Sequence, residues 1–100
     1  MTPLMLACKL GNEPMVEKLI EMGAGCEKRD KAGWTPLHYA SYGGDIDTID
    51  TLLDQGVPHR KKDKFGLRPV DWAHYMGHGE AEAFLEDFQP TMDLDRYQHW

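Results

Sequence analysis

Cysteine is scarce: Cys8 and Cys26 are the only two in 100 residues, too few for a disulfide scaffold. One bridge or two reduced thiols both fit, and reduced thiols in a reducing, intracellular compartment are the expectation. No apolar run approaches the roughly 20 residues that a membrane helix needs. The first residues lack the basic-then-apolar order of a secretory signal. Cations are in deficit, with 11 Lys and Arg against 17 Asp and Glu and a net charge of −6, which argues against a general nucleic-acid or anionic-membrane binder. A glycine-rich phosphate loop of the P-loop or dinucleotide type is missing too. Ten Gly and six Pro are more than a helical chain needs, and their positions carry the first positive signal.

Laid on itself, the chain repeats. Thr2-Pro3-Leu4 recurs as Thr35-Pro36-Leu37 and, degraded, as Arg68-Pro69-Val70, each step 33 residues long. In the same phase fall Ala7, Ala40 and Ala73, then Gly11, Gly44 and Gly77, then Leu19, Leu52 and Leu85. Gly23 pairs with Gly56, Asp30 with Asp63 and Gly33 with Gly66.

Elementary helix chemistry explains the pattern. Thr35 can cap a short helix whose first position is Pro36, where a missing N–H costs nothing. Gly44 can end it in the left-handed conformation. A second helix follows, with Asn12 or Asp45 as N-cap. Its apolar stripe reads Met15, Val16, Leu19, Ile20 in one unit and Ile49, Leu52, Leu53 in the next, a helical spacing. Residues 24–34 and 57–67 are turn-rich and charged, and suit projecting hairpins. Each unit is too thin to bury its own face, so stacking must supply the core.

Thr35-Pro36-Leu37-His38-Tyr39-Ala40 matches in full the T-P-L-H-x-A box of the ankyrin repeat family, whose period is about 33 residues. The chain resembles that family over residues 2 to 89. The resemblance implies an all-α solenoid of helix-turn-helix units with short β-hairpin loops, acting as a protein-protein interaction scaffold rather than an enzyme. The units expected are 1–34 (lacking a hairpin at its start), 35–67 and 68–89, with a tail over 90–100. At the positions of Val16 and Ile49 the third unit has Glu82, and at those of Ile20 and Leu53 it has Glu86, so 68–89 reads as a C-terminal cap with a wettable outer face. Leu4, Met5, Leu6 and Leu10 show no such capping logic, as expected of the later part of a longer array or of a trimmed domain. The period is lost after Pro90, and Met92, Leu94, Tyr97 and Trp100 make the end unusually apolar, as for a segment folded back over the last unit or a docking peptide.

Charge is segregated. Lys28, Arg29, Lys31, Arg60, Lys61, Lys62, Lys64 and Arg68 lie on or beside the hairpin fingers, with Asp30 and Asp63 partly neutralising them. The acids gather on the second helices: Glu13, Glu17 and Glu21, then Asp45, Asp47, Asp50 and Asp54, then Glu80, Glu82, Glu86 and Asp87. The resemblance implies that partners meet the fingers and the inner face of the first helices. The positions so marked are Lys9 and Leu10, then Ala32, Trp34 and Tyr42, then Phe65, Leu67, Tyr75 and Met76. Aromatics and Met there suit an interface, giving a groove anchored by Trp34, Tyr42, Phe65 and Tyr75 with the basic tips as rim. The rival is that Trp34 and Phe65 merely stack between fingers; binding predicts that truncating Trp34 or Tyr42 leaves melting nearly unchanged.

The partner expected is a protein or peptide, acidic with apolar anchors; nucleic acid, small-molecule substrate, cofactor and metal are not expected. His74, His78 and Glu82 have a ligand-like spacing, but Gly77 and Gly79 break the helix between them. His38 is expected to brace the adjacent finger, and both cysteines read as small buried apolar groups. The alternative is a targeting or regulatory appendage of a larger enzyme or transporter.

Overall fold

The computed structural model describes residues 1–88, so the expected tail over 90–100 lies outside the described residues. Among these, helices α1 (Pro3–Leu10), α2 (Glu13–Glu21), α3 (Pro36–Gly43), α4 (Ile46–Asp54), α5 (Pro69–Tyr75) and α6 (Gly79–Asp87) follow in three pairs. The odd-numbered helices form one row and the even-numbered a second, and the odd row is the more closely packed.

Each first helix starts on the same device built from different chemistry. Thr2 Oγ1 accepts from Met5 N–H and Thr35 Oγ1 from His38 N–H. In return the cap residue's own N–H donates to the side chain three residues on: to Met5 Sδ, to His38 Nδ1 at 3.1 Å, and, in the third unit, from Arg68 to Asp71 Oδ2 at 2.7 Å. This reciprocal capping satisfies donors that a helix start leaves orphaned. Pro occupies the first turn of all three helices. Gly11 and Gly44 end the first two at φ 69° and 79°, the left-handed region where a Cβ is penalised. Asn12 and Asp45 cap α2 and α4, as their spacing predicts.

Stacking then buries what each pair cannot. Leu4 and Leu37, Ala40 and Ala73, Val16 and Ile49, and Leu52 and Leu85 join one continuous core. Small residues set the approach of the first row: a Cβ on Gly43 would lie 2.6 Å from the Lys9 carbonyl oxygen. On the third unit's outer side, Glu82 Oε2 meets His74 Nδ1 at 3.1 Å and Glu86 is exposed.

The fingers are hairpin-shaped turns too short for a ladder, and no strand occurs among the described residues. Asp30 N–H donates to Trp34 C=O and Asp63 N–H to Leu67 C=O. Neighbouring fingers are tied by Lys64 N–H to Ala32 C=O at 2.9 Å and by Arg29 Nη2 to Lys62 C=O at 2.6 Å. His38 ties helix to finger. Its Nδ1 accepts from a backbone N–H, so Nε2 must carry the proton and donate to Leu67 C=O at 3.1 Å. This is the brace predicted from the Thr-Pro-Leu-His box.

Two outcomes follow for stability. Gly43→Ala pushes a methyl into the Lys9 carbonyl and should cost about 1–3 kcal/mol. Gly79→Ala, at a helical position with nothing within 4 Å, should gain about 0.5 kcal/mol; urea unfolding that gives both the same sign contradicts this packing. For His38, burial holds the imidazole below its usual value of 6.5, against the Leu67 carbonyl that pulls the other way. The unfolded chain therefore takes the proton first. The brace stabilises fully above pH 6.5 and its contribution is lost as pH falls from there through the lower folded value. Unfolding free energies between pH 7.5 and pH 5 (about 0.5-unit steps) should decline, and His38→Gln should flatten that decline; an unchanged slope in the variant is the contrary result.

Candidate binding groove

Two aspartates shape the site. Asp30 Oδ1 accepts from Ala32 and Trp34 N–H, each at 2.9 Å, and Oδ2 accepts from the Tyr39 hydroxyl. Asp63 repeats this one unit on: Oδ1 accepts from Phe65 and Leu67 N–H at 2.9 Å and Oδ2 from Trp72 Nε1 at 2.7 Å. Burial alone would raise both carboxyls, yet the converging donors outweigh it and hold both below the usual aspartate value. Asp63 is only 6% exposed. Both oxygens of each side chain are thus spent inside the finger base, not on the tips where the sequence suggested partial neutralisation. Burial and the Asp30 partner together push the Tyr39 phenol up to about 12.

The donors Tyr39 and Trp72 floor a groove. Trp34 lies at its centre, with ring centroids 4.7 Å from Tyr39, 4.8 Å from Trp72, 5.6 Å from Tyr42 and 6.0 Å from His38. Tyr42 and Trp72 are 6.1 Å apart, and Trp72 passes the row on to Tyr75 at 6.2 Å. Met1, Lys9, Ala32, Trp34, Tyr39, Tyr42, Phe65 and Trp72 line an open space of about 480 Å³. Phe65, in the lining, is 72% exposed, and Tyr75, next to Trp72, is 67% exposed, while Trp34 and Tyr42 are half-buried.

Of the residues marked in the sequence, Lys9, Ala32, Trp34, Tyr42 and Phe65 therefore come together, and Tyr75 joins through Trp72. Leu10 and Met76 are exposed outside this lining, and Leu67 is half-buried with its carbonyl held by His38. Lys28, Lys31, Arg60, Lys61, Lys62 and Lys64 are exposed on the fingers. Arg29 is exposed as well, but its guanidinium is spent on the Gly33 and Lys62 carbonyls. Arg68 pairs with Asp71 at 3.1 Å.

Trp34 both lines the groove and packs among its neighbours. It contacts four rings, and its buried Nε1 has no hydrogen-bond partner. Truncating it should therefore cost stability as well, contrary to the expectation that melting stays nearly unchanged. The sequence marked Trp34 but missed Trp72 and Tyr39, whose signal was available: both sit nine residues after a finger aspartate in the same phase.

Other chemistry-bearing groups go elsewhere. His78, in the turn before α6, is half-buried: it packs over Gly44 and its Nε2 meets Tyr42 C=O at 3.0 Å. The glycine break does not keep His74 from Glu82, because α5 and α6 fold back on each other. Among the described residues no three His, Cys, Asp or Glu side chains gather to hold a metal. Cys8 and Cys26 are unpaired; burial pushes the Cys8 thiol up to about 12 and raises that of Cys26, keeping both poor nucleophiles. No helix among the described residues is long and apolar enough to cross a membrane.

A family model described as ankyrin repeats (3 copies) matches residues 1–63. Human and mouse ankyrin repeat domain-containing protein 17 are each 54% identical over 35 residues, which is 35% of this chain and 1% of theirs. The Drosophila melanogaster ankyrin repeat and KH domain-containing protein mask is 57% identical over 35 residues, with the same shares. The chain spans about 1% of the length of these curated relatives. With its paired helices, 33-residue phase and braced fingers, the chain belongs to the ankyrin repeat family.

Proposed function

We propose that this chain is a protein-interaction module that grips an acidic segment of a partner, with aromatic or aliphatic anchors, across the groove between its first helices and its fingers. Ankyrin repeats generally serve as protein-protein interaction modules. The observation that carries the finer reading is an aromatic floor with exposed Phe65 in its lining and exposed Tyr75 next to Trp72, beside fingers whose Asp30 and Asp63 are turned inward. Large exposed aromatics beside a packed floor are the makings of a binding hot spot. Lys28, Lys31, Arg60, Lys61, Lys62 and Lys64 then steer and select the acidic partner. Leu10, Leu67 and Met76 flank the anchors, and Trp34 and Tyr42 act from below. Residues 1–34, 35–67 and 68–89 are the stacked units, the last a cap, a reading supported by exposed Glu86 and paired Glu82. The two unpaired thiols suit an intracellular, reducing compartment. The role assigned is recognition, without catalysis or cofactor.

The test is peptide display against the immobilised chain. Selected peptides should be acidic with an aromatic or aliphatic anchor, and should weaken as salt rises from about 0.05 M to about 0.5 M. Phe65→Ala and Tyr75→Ala should each lose about tenfold or more in affinity with melting unchanged. Trp34→Ala should instead destabilise the fold by about 2–4 kcal/mol. Basic or salt-insensitive selected peptides, or full affinity in both edge variants, would overturn the proposal.

A further inference from the structure

The floor of the binding groove carries more negative charge than its lining residues suggest. Tyr39 and Trp72 donate to Asp30 Oδ2 and Asp63 Oδ2, and both carboxyls are held below the usual aspartate value. Two ionised carboxylates therefore lie at the polar ends of two floor rings. Neither is in an ion pair among the described residues. Their hydrogen-bond donors are neutral: finger N–H groups, a phenol and an indole. Hydrogen bonds polarise the groups that make them, so each carboxylate leaves the face of its ring more negative. An aromatic face is already the negative part of the ring's quadrupole.

The ring geometry suits a cation. Trp34, Tyr42 and Trp72 stand 4.8 to 6.1 Å apart, centroid to centroid, and are tilted by 51° to 55°. All three line the same open space, and Phe65 adds an exposed fourth ring. Rings so tilted form a cup, in which a cation lies within about 6 Å of several faces, the reach of a cation–π contact. An ammonium is too strongly hydrated to enter cheaply. Lys9 also lines the space, and Lys31 and Lys64 adjoin Ala32 and Phe65 in the chain, so an isolated cation is repelled. A guanidinium is planar, more weakly hydrated and stacks on rings. Carried on an acidic segment, it arrives with carboxylates for those lysines, and both charges are answered.

We propose that the cup of Trp34, Tyr42, Phe65 and Trp72 receives one arginine side chain of the partner, set among its acidic residues and alongside its apolar anchor. This rests on reading the groove as the site of an acidic segment. The test displays an acidic random peptide library against the full 100-residue chain. Selected peptides should share a single arginine. Changing it to citrulline, close in shape but uncharged, should weaken binding about fivefold or more. The arginine methylene protons should show NMR cross-relaxation with the rings of Trp34, Tyr42 and Trp72. Phe65→Leu keeps an apolar side chain but removes a ring face, and should narrow the arginine-to-citrulline ratio with Tm unchanged. Acidic peptides selected without arginine, or a citrulline peptide of equal affinity, overturn this inference and leave the acidic-segment reading standing. Arginine contacts confined to the acids of α2, α4 and α6 overturn it too. A selection that yields no acidic peptides overturns both.

Discussion

An aspartate with both oxygens spent indoors is the constraint on which this molecule's working surface depends. Asp30 and Asp63 each gather two finger N–H groups on one oxygen and an aromatic donor on the other. One side chain thereby closes a finger and fixes the ring beneath it. Charge-assisted hydrogen bonds to converging donors are worth more than neutral ones, and leaving those donors unpaired would cost about 1–3 kcal/mol each. His38 completes the arrangement by holding the Leu67 carbonyl of the following finger. Finger, helix and next finger are thus tied in series, so the surface comes largely preformed.

That geometry changes what the net charge means. Overall the chain is acidic by six charges, yet the carboxylates nearest the fingertips point inward and keep their bonds there. The cations of residues 60–64 face solvent while Asp63 between them does not. A sum over the sequence counts Asp63 against Lys62 and Lys64; an approaching partner meets mainly the lysines. The outer helices and their caps hold most of the remaining acids, well suited to keeping the solenoid's back wet. Ile46 and Phe84 interrupt that pattern and are half-buried against the core.

Features set within one repeat were legible in the sequence. Thr35-Pro36 and Gly44 announce the ends of α3, and Asn12 and Asp45 the starts of α2 and α4, because caps depend on neighbours in the chain. The buried positions Val16, Ile49 and Leu52 follow from phase alone. What escaped lies between repeats or rests on chemical substitution. Met5, His38 and Asp71 all receive the cap residue's N–H, although thioether, imidazole and carboxylate share no sequence signature. Arg29 looks like any fingertip cation until its guanidinium is found on Lys62 C=O, and His78 like a loop residue until it covers Gly44. Trp34 was marked as an anchor, but only four neighbouring rings reveal how much of it is packing.

The inward aspartate can be tested at a single proton. The indole N–H resonance of Trp72 should report its bond to Asp63 directly, followed by NMR from pH 7 down to about pH 2 in the native chain and in Asp63→Asn. Because burial is outweighed by the Leu67, Trp72 and Phe65 donors, Asp63 keeps its charge below the usual 3.8. The resonance should therefore hold its hydrogen-bonded position until the pH is below that value, and should be displaced at every pH in Asp63→Asn. An indole proton that titrates at or above 3.8, or that ignores the substitution, would contradict the account.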